Sequence, residues 1–333
     1  MINVPWVDKY RPKKLADVVY QDDVIKMLNN VLETGNMPHL LFYGYPGTGK
    51  TSTILAIARE LFGPKKFKER VIELNASDER GINVVRHKIV TLAKSAVSAK
   101  DPNYLCPSYK LIILDEADAM TTEAQSALRK TMEDNSDITR FCFICNYINQ
   151  IIGPITSRCV KFRFKPICEK VMTAKLKNIT ELENMNITDD ALREISIISN
   201  GDMRKGIMLL QNLNYLGKKL EINDVYDIAN MIPKSKLKSI IDLSINDSSM
   251  NSLKIRNLAN ELNNNGYPIN MILSQLVELI IKNDQLNDKQ KAAICLYIAD
   301  TEKRLIDGAD EYLQLLSVFM QIKFNIITED NFA

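Results

Sequence analysis

The feature that most constrains the fold of this chain is a glycine-rich segment at residues 44–51. It reads Gly-Tyr-Pro-Gly-Thr-Gly-Lys-Thr and matches the pattern G-x-x-x-x-G-K-[ST] at each fixed position. A short apolar run precedes it, and residues 51–62 follow with apolar side chains at helical spacing. Glycines let backbone N–H groups curl around a phosphate, and the next helix adds partial positive charge at its N-terminus. The segment predicts a strand, a phosphate-binding loop and a helix, in that order.

The chemistry of such a loop assigns a role to its last residues. Lys50 is expected to reach the β- and γ-phosphates of ATP, and Thr51 is expected to be a ligand of Mg²⁺. The residues expected to bind the nucleotide here are Gly44, Tyr45, Pro46, Gly47, Thr48, Gly49, Lys50, Thr51 and Ser52.

Further apolar strands are predicted at residues 70–75, 111–114 and 140–145, with helices at 82–97 and 121–133. This alternation is typical of an α/β fold in which helices cover both faces of a parallel sheet. From Phe162 onward, helical periodicity dominates. Pro166 and Pro233 mark the boundaries, which predicts an α/β domain (1–165), a small helical domain (166–232) and a larger all-α domain (233–333).

Two adjacent carboxylates, Asp115 and Glu116, follow the strand at residues 111–114. A carboxylate at this end of a parallel strand faces the ligand crevice of an open sheet. Asp115 is expected to hold Mg²⁺, and Glu116 to act as the general base that polarises the attacking water. Asp118 is interpreted as structural, or as the cap of the helix at 121–133. The letters Asp-Glu-Ala-Asp also occur in helicases, but those carry a Ser-Ala-Thr segment shortly afterwards, and residues 119–140 contain none.

Composition agrees with a globular protein and excludes several classes. The 333 residues are 46% hydrophobic and 25% charged, and no uncharged apolar run reaches the roughly 18 residues of a membrane span. The first twelve residues do not resemble a signal peptide, so an intracellular protein without a membrane partner is expected. Only Cys142 and Cys145 have metal-like spacing. They lie in a predicted buried strand without a second ligand pair, so structural, reduced thiols are favoured over a metal or redox site.

Net charge is +2, but the two halves differ. Residues 1–165 contain 24 Lys and Arg against 18 Asp and Glu, whereas the rest contain 19 against 23. Charge asymmetry of this kind is a weak indication of a basic, partner-binding face, and plain surface variation remains the alternative.

Five segments occur together and in order: Pro5–Pro12, Gly44–Thr51, Glu73–Asp78, Leu114–Asp118 and Ser157–Cys159. This set resembles the small subunits of replication factor C, the eukaryotic sliding-clamp loader of the AAA+ class. The resemblance implies a P-loop AAA+ ATPase domain, a helical lid and an all-α collar that joins five subunits. It also implies that the chain acts in the nucleus, where it binds and hydrolyses ATP with Mg²⁺.

The resemblance assigns further residues to the nucleotide site. Asn146 is similar to sensor 1, which orients the hydrolytic water, and Arg204 is similar to sensor 2, which reaches the γ-phosphate from the lid. Asn75 is similar to the switch residue that restrains Glu116 until DNA is bound. The residues that enclose the adenine correspond to Val7, Arg11 and Val19. Tyr45 departs from the pattern, which usually has proline there.

Arg158 is similar to an arginine finger that completes the ATP site of the adjacent subunit, which predicts a heteropentamer. An arginine that pairs with a local carboxylate is the alternative. The remaining partners implied are the sliding clamp PCNA and primer-template DNA. Arg80, Arg86 and Lys88 are the expected DNA contacts, with a solvated helix face as the alternative. Gln150 stands where related subunits often have a basic residue, so that contact is expected to be weak.

Two other functions fit parts of the pattern. The chain could be an ATP-bound scaffold that hydrolyses nothing and supplies only Arg158 and DNA contacts, or a solitary AAA+ ATPase that acts on protein substrates. The complete set of phosphate, magnesium, water and sensor residues favours a catalytic subunit of the clamp loader.

Overall fold

A computed structural model describes residues 4–76, 89–95, 101–246 and 252–330, with backbone alone at 243–246 and 326–330. The chain divides into two compact units, Met1–Lys219 and Leu220–Ala333. No helix in these described ranges is long and apolar enough to cross a membrane.

The first unit contains a sheet of five parallel strands in the order β2-β3-β4-β1-β5. The strands are β1 (Leu40–Gly44), β2 (Val71–Asn75), β3 (Lys110–Asp115), β4 (Thr139–Cys145) and β5 (Val160–Phe164). The parallel sheet and its first four strands confirm the sequence-based prediction. Because β1 lies between β4 and the edge strand β5, the loop that follows it opens at the carboxyl edge of the sheet with a strand on either side.

The fifth strand was not predicted: β5 pairs with β1 from Leu40↔Val160 to Gly44↔Phe164, so the helical pattern expected from Phe162 onward begins only after this strand. Val160, Lys161 and Arg163 of β5 are exposed, and only Phe164 is fully buried. A charged strand at the edge of a sheet protects that edge from pairing with another chain. It lacks the continuous apolar run by which the central strands are recognised.

Nine α-helices belong to the described part of the first unit. They are α1 (Trp6–Lys9), α2 (Asp22–Thr34), α3 (Lys50–Arg70), α4 (Val90–Lys94), α5 (Thr122–Asp134), α6 (Gly153–Thr156), α7 (Glu169–Leu182), α8 (Asp189–Ser199) and α9 (Met203–Asn214). Helix α3 is interrupted at Gly63, whose φ of 69° is non-helical and which precedes Pro64. The interruption explains why the helical pattern in the sequence stops at residue 62.

The sheet is covered on both faces, as parallel sheets usually are. Leu40 and Phe42 point to one face, where they pack with Ile54 of α3. Leu41 points to the other face and packs with Leu128 of α5. All five side chains are almost completely buried. Alternation along one strand therefore fixes α3 and α5 on opposite sides of the phosphate loop.

Helices α7, α8 and α9 pack on one another at the end of the first unit, where Leu176, Ile195 and Leu210 are fully buried. Two of these helices begin with side-chain caps. The Thr188 side chain accepts a hydrogen bond from Ala191 N–H at the start of α8, and Asp202 accepts one from Lys205 N–H at the start of α9.

The second unit is all-helical in its described residues: α10 (Ile222–Ala229), α11 (Lys234–Asn246), α12 (Ser252–Asn264), α13 (Ile269–Ile281), α14 (Asp288–Ile306) and α15 (Glu311–Asp330). Apolar residues from five of these helices form one core, in which Leu273, Leu276 and Leu315 are fully buried. The all-α character predicted for the C-terminal region is confirmed.

Cys142 and Cys145 lie in β4 and are buried. Burial raises the pKa of both thiols, that of Cys145 to about 12. In the ranges that the structure describes, no three His, Cys, Asp or Glu side chains are grouped as a metal site would require.

Candidate nucleotide site

A cavity of about 420 Å³ lies at the carboxyl edge of the sheet, in front of the N-terminus of α3. Most of the predicted nucleotide residues line it: Val7, Arg11, Val19, Pro46, Gly47, Thr48, Gly49, Lys50, Thr51, Ser52, Asp115, Glu116, Asn146 and Arg204. Tyr10, Asp17, Lys175, Met203 and Ile207 are among its other lining residues. Residues from the N-terminus, the sheet and helices α7 and α9 therefore meet around one space. Helices α7–α9 are called the lid below.

The phosphate loop adopts backbone conformations that favour glycine. Gly44, Gly47 and Gly49 all have positive φ, at 142°, 65° and 95°. A Cβ atom at Gly44 would lie 2.3 Å from the carbonyl oxygen of Phe164, so the pairing with β5 excludes any side chain there. Gly44 therefore belongs to the packing of the loop on the sheet, and it is not among the cavity-lining residues.

Lys50 folds back over the loop that precedes it. Its Nζ donates to the carbonyl oxygens of Gly44 and Tyr45, both at 2.8 Å, and to Oδ1 of Asn146 at 3.0 Å. Burial lowers the pKa of Lys50, while the nearby Asp115 carboxylate acts in the opposite direction. The ammonium group is thus held at the cavity floor beside Asn146, where a phosphate oxygen could replace its present acceptors.

Thr51 and Asp115 form the second polar pair of the cavity. The Thr51 hydroxyl donates to Oδ2 of Asp115 at 2.6 Å, and the other carboxylate oxygen accepts from Glu116 N–H at 2.9 Å. Glu116 has a positive φ of 53° and is exposed. The left-handed backbone at Glu116 ends the extended conformation of β3. The Asp115 carboxylate therefore contacts Thr51, while the Glu116 side chain is exposed.

Asn75 ends β2 directly beside β3. The strand register pairs Asn75 with Asp115, one residue before Glu116. The sheet therefore brings the expected switch residue next to the expected base, which are far apart in the sequence.

The lid is hydrogen-bonded to the phosphate loop. Met203 N–H, at the start of α9, donates to the carbonyl oxygen of Gly47 at 3.1 Å. A Cβ atom on Gly47 would lie only 1.7 Å from Oδ1 of Asp202. This close approach places Arg204, one residue beyond Met203, in the wall of the cavity.

The N-terminal segment bridges the two sides of the cavity. Trp6 N–H donates to Oε1 of Gln211 on α9 at 2.9 Å, and Lys9 Nζ donates to Oε1 of Glu183 at 2.6 Å. The Tyr10 hydroxyl hydrogen-bonds to the same carboxylate, and Arg11 Nε donates to the Ser52 hydroxyl at 3.2 Å. The segment is therefore attached to the lid and to α3 at once.

Four expected residues do not line this cavity in the described structure: Arg158, Gly44, Tyr45 and Asn75, which lies at the end of β2. Arg158 lies outside it, and its guanidinium pairs with Glu133. Gly44 and Tyr45 contribute their carbonyl oxygens to Lys50 but do not line the space, and the Tyr45 ring is 65% exposed. Arg80, Arg86 and Lys88 lie outside the described residues.

Two residues that the sequence patterns did not assign to the site support its edge. Asp118 accepts hydrogen bonds from the backbone where β4 ends, and the cap of α5 is Thr121. Of the two roles expected for Asp118, the structural one therefore fits and the capping one does not. Gln125 is 1% exposed; its Nε2 donates to the Gln150 carbonyl at 2.9 Å and its Oε1 accepts from Ile152 N–H at 2.9 Å. Asp118 could be noticed only as the last residue of the Asp-Glu-Ala-Asp segment. No sequence pattern indicated a role for Gln125.

Comparison with known proteins agrees with this geometry. Residues 40–167 match the family model described as ATPase family associated with various cellular activities (AAA), and residues 232–321 match the model described as Replication factor C C-terminal domain. The solved structure of a Thermotoga maritima RuvB Holliday junction branch migration motor has the same fold. Its TM-score is 0.53 at 19% identity, over 76% of this chain and 85% of that one. Fold and site define a P-loop ATPase of the AAA class.

Full-length relatives narrow the class. The chain is 49% identical to replication factor C subunit 2 of rice, over 94% of this chain and 92% of that protein. It is 47% identical to human replication factor C subunit 4, over 95% and 86%, and 44% identical to subunit 2 of Saccharomyces cerevisiae, over 96% and 92%. The chain belongs to the replication factor C small-subunit family, the ATPase subunits of the clamp loader that serves DNA replication. The sequence of Phe141–Tyr147 predicts a relation to the vertebrate subunit numbered 4, and the human relative carries that number, whereas those of rice and yeast are numbered 2.

Proposed function

We propose that this subunit binds ATP in the cavity, hydrolyses it with an arginine supplied by a neighbour, and so drives the loading of the sliding clamp PCNA onto primer-template DNA. The observation that carries the proposal is the meeting of Lys50, the Thr51–Asp115 pair and Asn146 at one point, 3.0 Å or less between partners. Arg204 reaches the same cavity from the lid. Phosphoryl transfer depends on positioned positive charge around the γ-phosphate, which these groups supply.

Magnesium fits the oxygen atoms of the second pair. The Thr51 hydroxyl and the Asp115 carboxylate present hard oxygen ligands, the kind that Mg²⁺ prefers, and they are already in contact. A bound Mg²⁺ would neutralise charge on the phosphates there. Thr51 and Asp115 would hold it, while the ammonium of Lys50 stabilises the phosphate oxygens from the other side.

Glu116 is proposed as the general base and Asn75 as its switch. The Glu116 side chain is exposed at the carboxyl edge of β3, where a water could lie between it and a γ-phosphate. Asn75 lies beside that position through the strand register. Restraint of Glu116 by Asn75 would keep hydrolysis slow until DNA enters.

Arg158 is proposed to act in the site of the adjacent subunit. It does not line the cavity of its own chain, and its side chain is 34% exposed. An arginine finger supplied in trans is worth about 10³–10⁵ in rate. Its position supports a heteropentameric ring in which each site is completed by a neighbour.

The remaining assignments extend the proposal to its partners and its compartment. Arg80, Arg86 and Lys88 are proposed to contact the DNA backbone. The loop 95–109, with Tyr104, Cys106 and Pro107, is proposed to face the clamp; Tyr104 is exposed there, whereas Cys106 is buried. The subunit is proposed to work in the nucleus. Residues 1–165, 166–232 and 233–333 are proposed to serve as ATPase, lid and collar.

The test is the ATPase and clamp-loading activity of the reconstituted complex in which this subunit carries Lys50→Ala or Glu116→Gln. Both changes should remove this subunit's share of the DNA- and clamp-stimulated rate, because the first removes phosphate binding and the second the base. Glu116→Gln should still bind ATP. Glu123→Gln, an exposed carboxylate in the first turn of α5, is the matched control. An unchanged rate with unchanged loading would instead support an ATP-bound scaffold.

A second experiment tests the partners. A tagged form of the chain, purified from its own cells, should bring with it four other replication factor C subunits, and microscopy should place it in the nucleus. Purification as a homohexamer that does not bind the clamp would contradict the proposal.

A further inference from the structure

Asp118 lies in the three-residue helix Ala117–Ala119, just beyond the carboxyl edge of β3. One of its carboxylate oxygens, Oδ2, accepts hydrogen bonds from two successive backbone N–H groups, those of Asn146 at 3.0 Å and Tyr147 at 3.2 Å. These groups are the first two after the end of β4. A single carboxylate oxygen therefore fixes the chain at the point where it leaves the sheet.

The two bonds determine where the Asn146 side chain can reach. Hydrogen bonds to an ionised carboxylate are shorter and stronger than neutral ones. With its own N–H held by Asp118, Asn146 directs Oδ1 to Lys50 Nζ at 3.0 Å. Asn146 and Tyr147 are otherwise exposed, the Tyr147 ring at 68%, so little apolar packing restrains this turn.

An acidic residue at this position could instead cap the N-terminus of α5, but another side chain does so. The N-terminus of α5 is capped by Thr121, whose side chain accepts from Ala124 N–H at 3.3 Å. Asp118 therefore serves the end of β4 and not the following helix.

We infer that Asp118 is a positioning residue for ATP hydrolysis, which sets the orientation of Asn146 toward Lys50 and the γ-phosphate. The inference rests on the proposed function of Asn146. Asp118 touches neither Lys50 nor the cavity in the described residues, so it acts through Asn146. Its removal should leave ATP binding intact and impair the chemical step.

The experiment is a double-mutant cycle in the reconstituted complex, in which this subunit's share of the rate is defined as the part that Lys50→Ala removes. Asp118→Ala should lower that share about ten- to a hundredfold, the size expected when a catalytic group is misplaced by about 1 Å. The KM for ATP and the affinity for a fluorescent ATP analogue should change less than twofold. Asp118→Asn should lose less, because its amide oxygen can still accept both N–H groups.

The decisive comparison is Asp118→Ala in the Asn146→Ala background. If Asp118 acts only through Asn146, the double variant should be no slower than Asn146→Ala alone. The inference is overturned if Asp118→Ala lowers kcat by the same factor in the Asn146→Ala background as in the wild type. An unchanged kcat in Asp118→Ala alone also overturns it.

Two controls distinguish a positioning role from a general loss of folding. Glu123→Gln should behave as wild type, and thermal melting should show that Asp118→Asn folds normally; a loss that follows melting temperature in both Asp118 variants also overturns the inference. If Asn146→Ala itself has a normal kcat, the proposed role of Asn146 is wrong and the positioning role is wrong with it. A slow Asn146→Ala with a normal Asp118→Ala rejects the positioning role alone.

Discussion

The carboxylate of Glu133, in the last turn of α5, pairs with the guanidinium of Arg158, which lies between α6 and β5. The same Glu133 oxygen accepts from Arg129 Nε at 3.2 Å, and Arg158 also donates to the Pro154 carbonyl at 2.7 Å. Hydrogen bonds and charge from Arg129 and then Arg158 hold the pKa of Glu133 below its usual range. Exposed ion pairs are weak, so separating Arg158 from Glu133 costs little free energy, as the role proposed for Arg158 in a neighbouring site requires.

The first prediction concerns Arg158, and its test requires that this subunit's own ATP site be inactivated. In a complex that carries Lys50→Ala here, the added change Arg158→Ala should lower the remaining ATPase rate further, because the loss falls on the neighbour's site. An arginine finger accounts for about 10³-fold or more of the rate at one site.

Steady-state ATPase with saturating DNA and clamp measures this effect. The control is Arg193→Ala, an arginine paired with Glu169 on the lid surface, which should change nothing. A rate that stays at the Lys50→Ala level would mean that Arg158 serves only its local partner.

The second prediction concerns Gly47. An alanine there must adopt a left-handed backbone at φ 65°, which costs about 1–2 kcal/mol, and its Cβ would lie 1.7 Å from Asp202 Oδ1. The Asp202 side chain must then move away, which removes the cap of α9 and weakens the hydrogen bond from Met203 N–H to the loop. We expect Gly47→Ala to weaken ATP binding at least about tenfold, which is 1.4 kcal/mol.

Gly153 offers the matched control, because a Cβ atom there meets nothing within 4 Å. Titration with a fluorescent ATP analogue compares Gly47→Ala with Gly153→Ala. Equal affinities in the two variants would show that the lid does not depend on the contact.

The sequence was sufficient for the parts of the fold that have a local signature. The phosphate loop, the apolar run of β3 and the acidic pair Asp115–Glu116 each combine a residue type with a fixed spacing, so the cavity floor could be predicted. Strand β5 could not, because Lys161 and Arg163 interrupt its apolar pattern at an exposed edge.

Contacts between distant segments were beyond prediction from residue patterns. Gln125 reaches the backbone of Gln150 and Ile152 only because α5 packs beside the loop after β4. Asp118 accepts from Asn146 N–H because β3 and β4 are neighbours in the sheet and end side by side. Arg204 was placed by family resemblance alone, since nothing local distinguishes it from a surface arginine. Such pairings depend on tertiary packing, which spacing along the chain does not encode.

The third prediction concerns His39, whose pKa is lowered to about 4 by burial and by the charge of Arg140. Its Nδ1 accepts from Phe141 N–H at 3.1 Å, which requires the neutral ring. Between about pH 6.5 and 4 the unfolded chain binds a proton here that the folded chain does not, so stability falls as pH falls through this window. The partly exposed ring limits the loss to about 1–3 kcal/mol.

Asparagine can replace the acceptor without titrating. Urea denaturation at a series of pH values should therefore give His39→Asn a smaller loss of stability than wild type from pH 6.5 to 4, while both share the titration of the carboxylates. Parallel pH profiles for the two proteins would contradict the assignment.

The last prediction concerns the second unit, where Gln275 is 6% exposed and bonded to both backbone groups of the fully buried Ile232. Its Nε2 donates to the Ile232 carbonyl at 2.9 Å, and its Oε1 accepts from Ile232 N–H at 3.3 Å. Gln275→Leu keeps the size of the side chain but leaves a buried N–H and a buried carbonyl without these partners. Each such group costs about 1–3 kcal/mol, so we expect about 2–4 kcal/mol of destabilisation in urea unfolding.

The control is Gln285→Leu, at an exposed position, which should cost little stability. Because the Replication factor C C-terminal domain match begins at residue 232, Gln275→Leu should also reduce recovery of the intact complex while Gln285→Leu does not, and equal stability of the two variants would rule out this anchoring role.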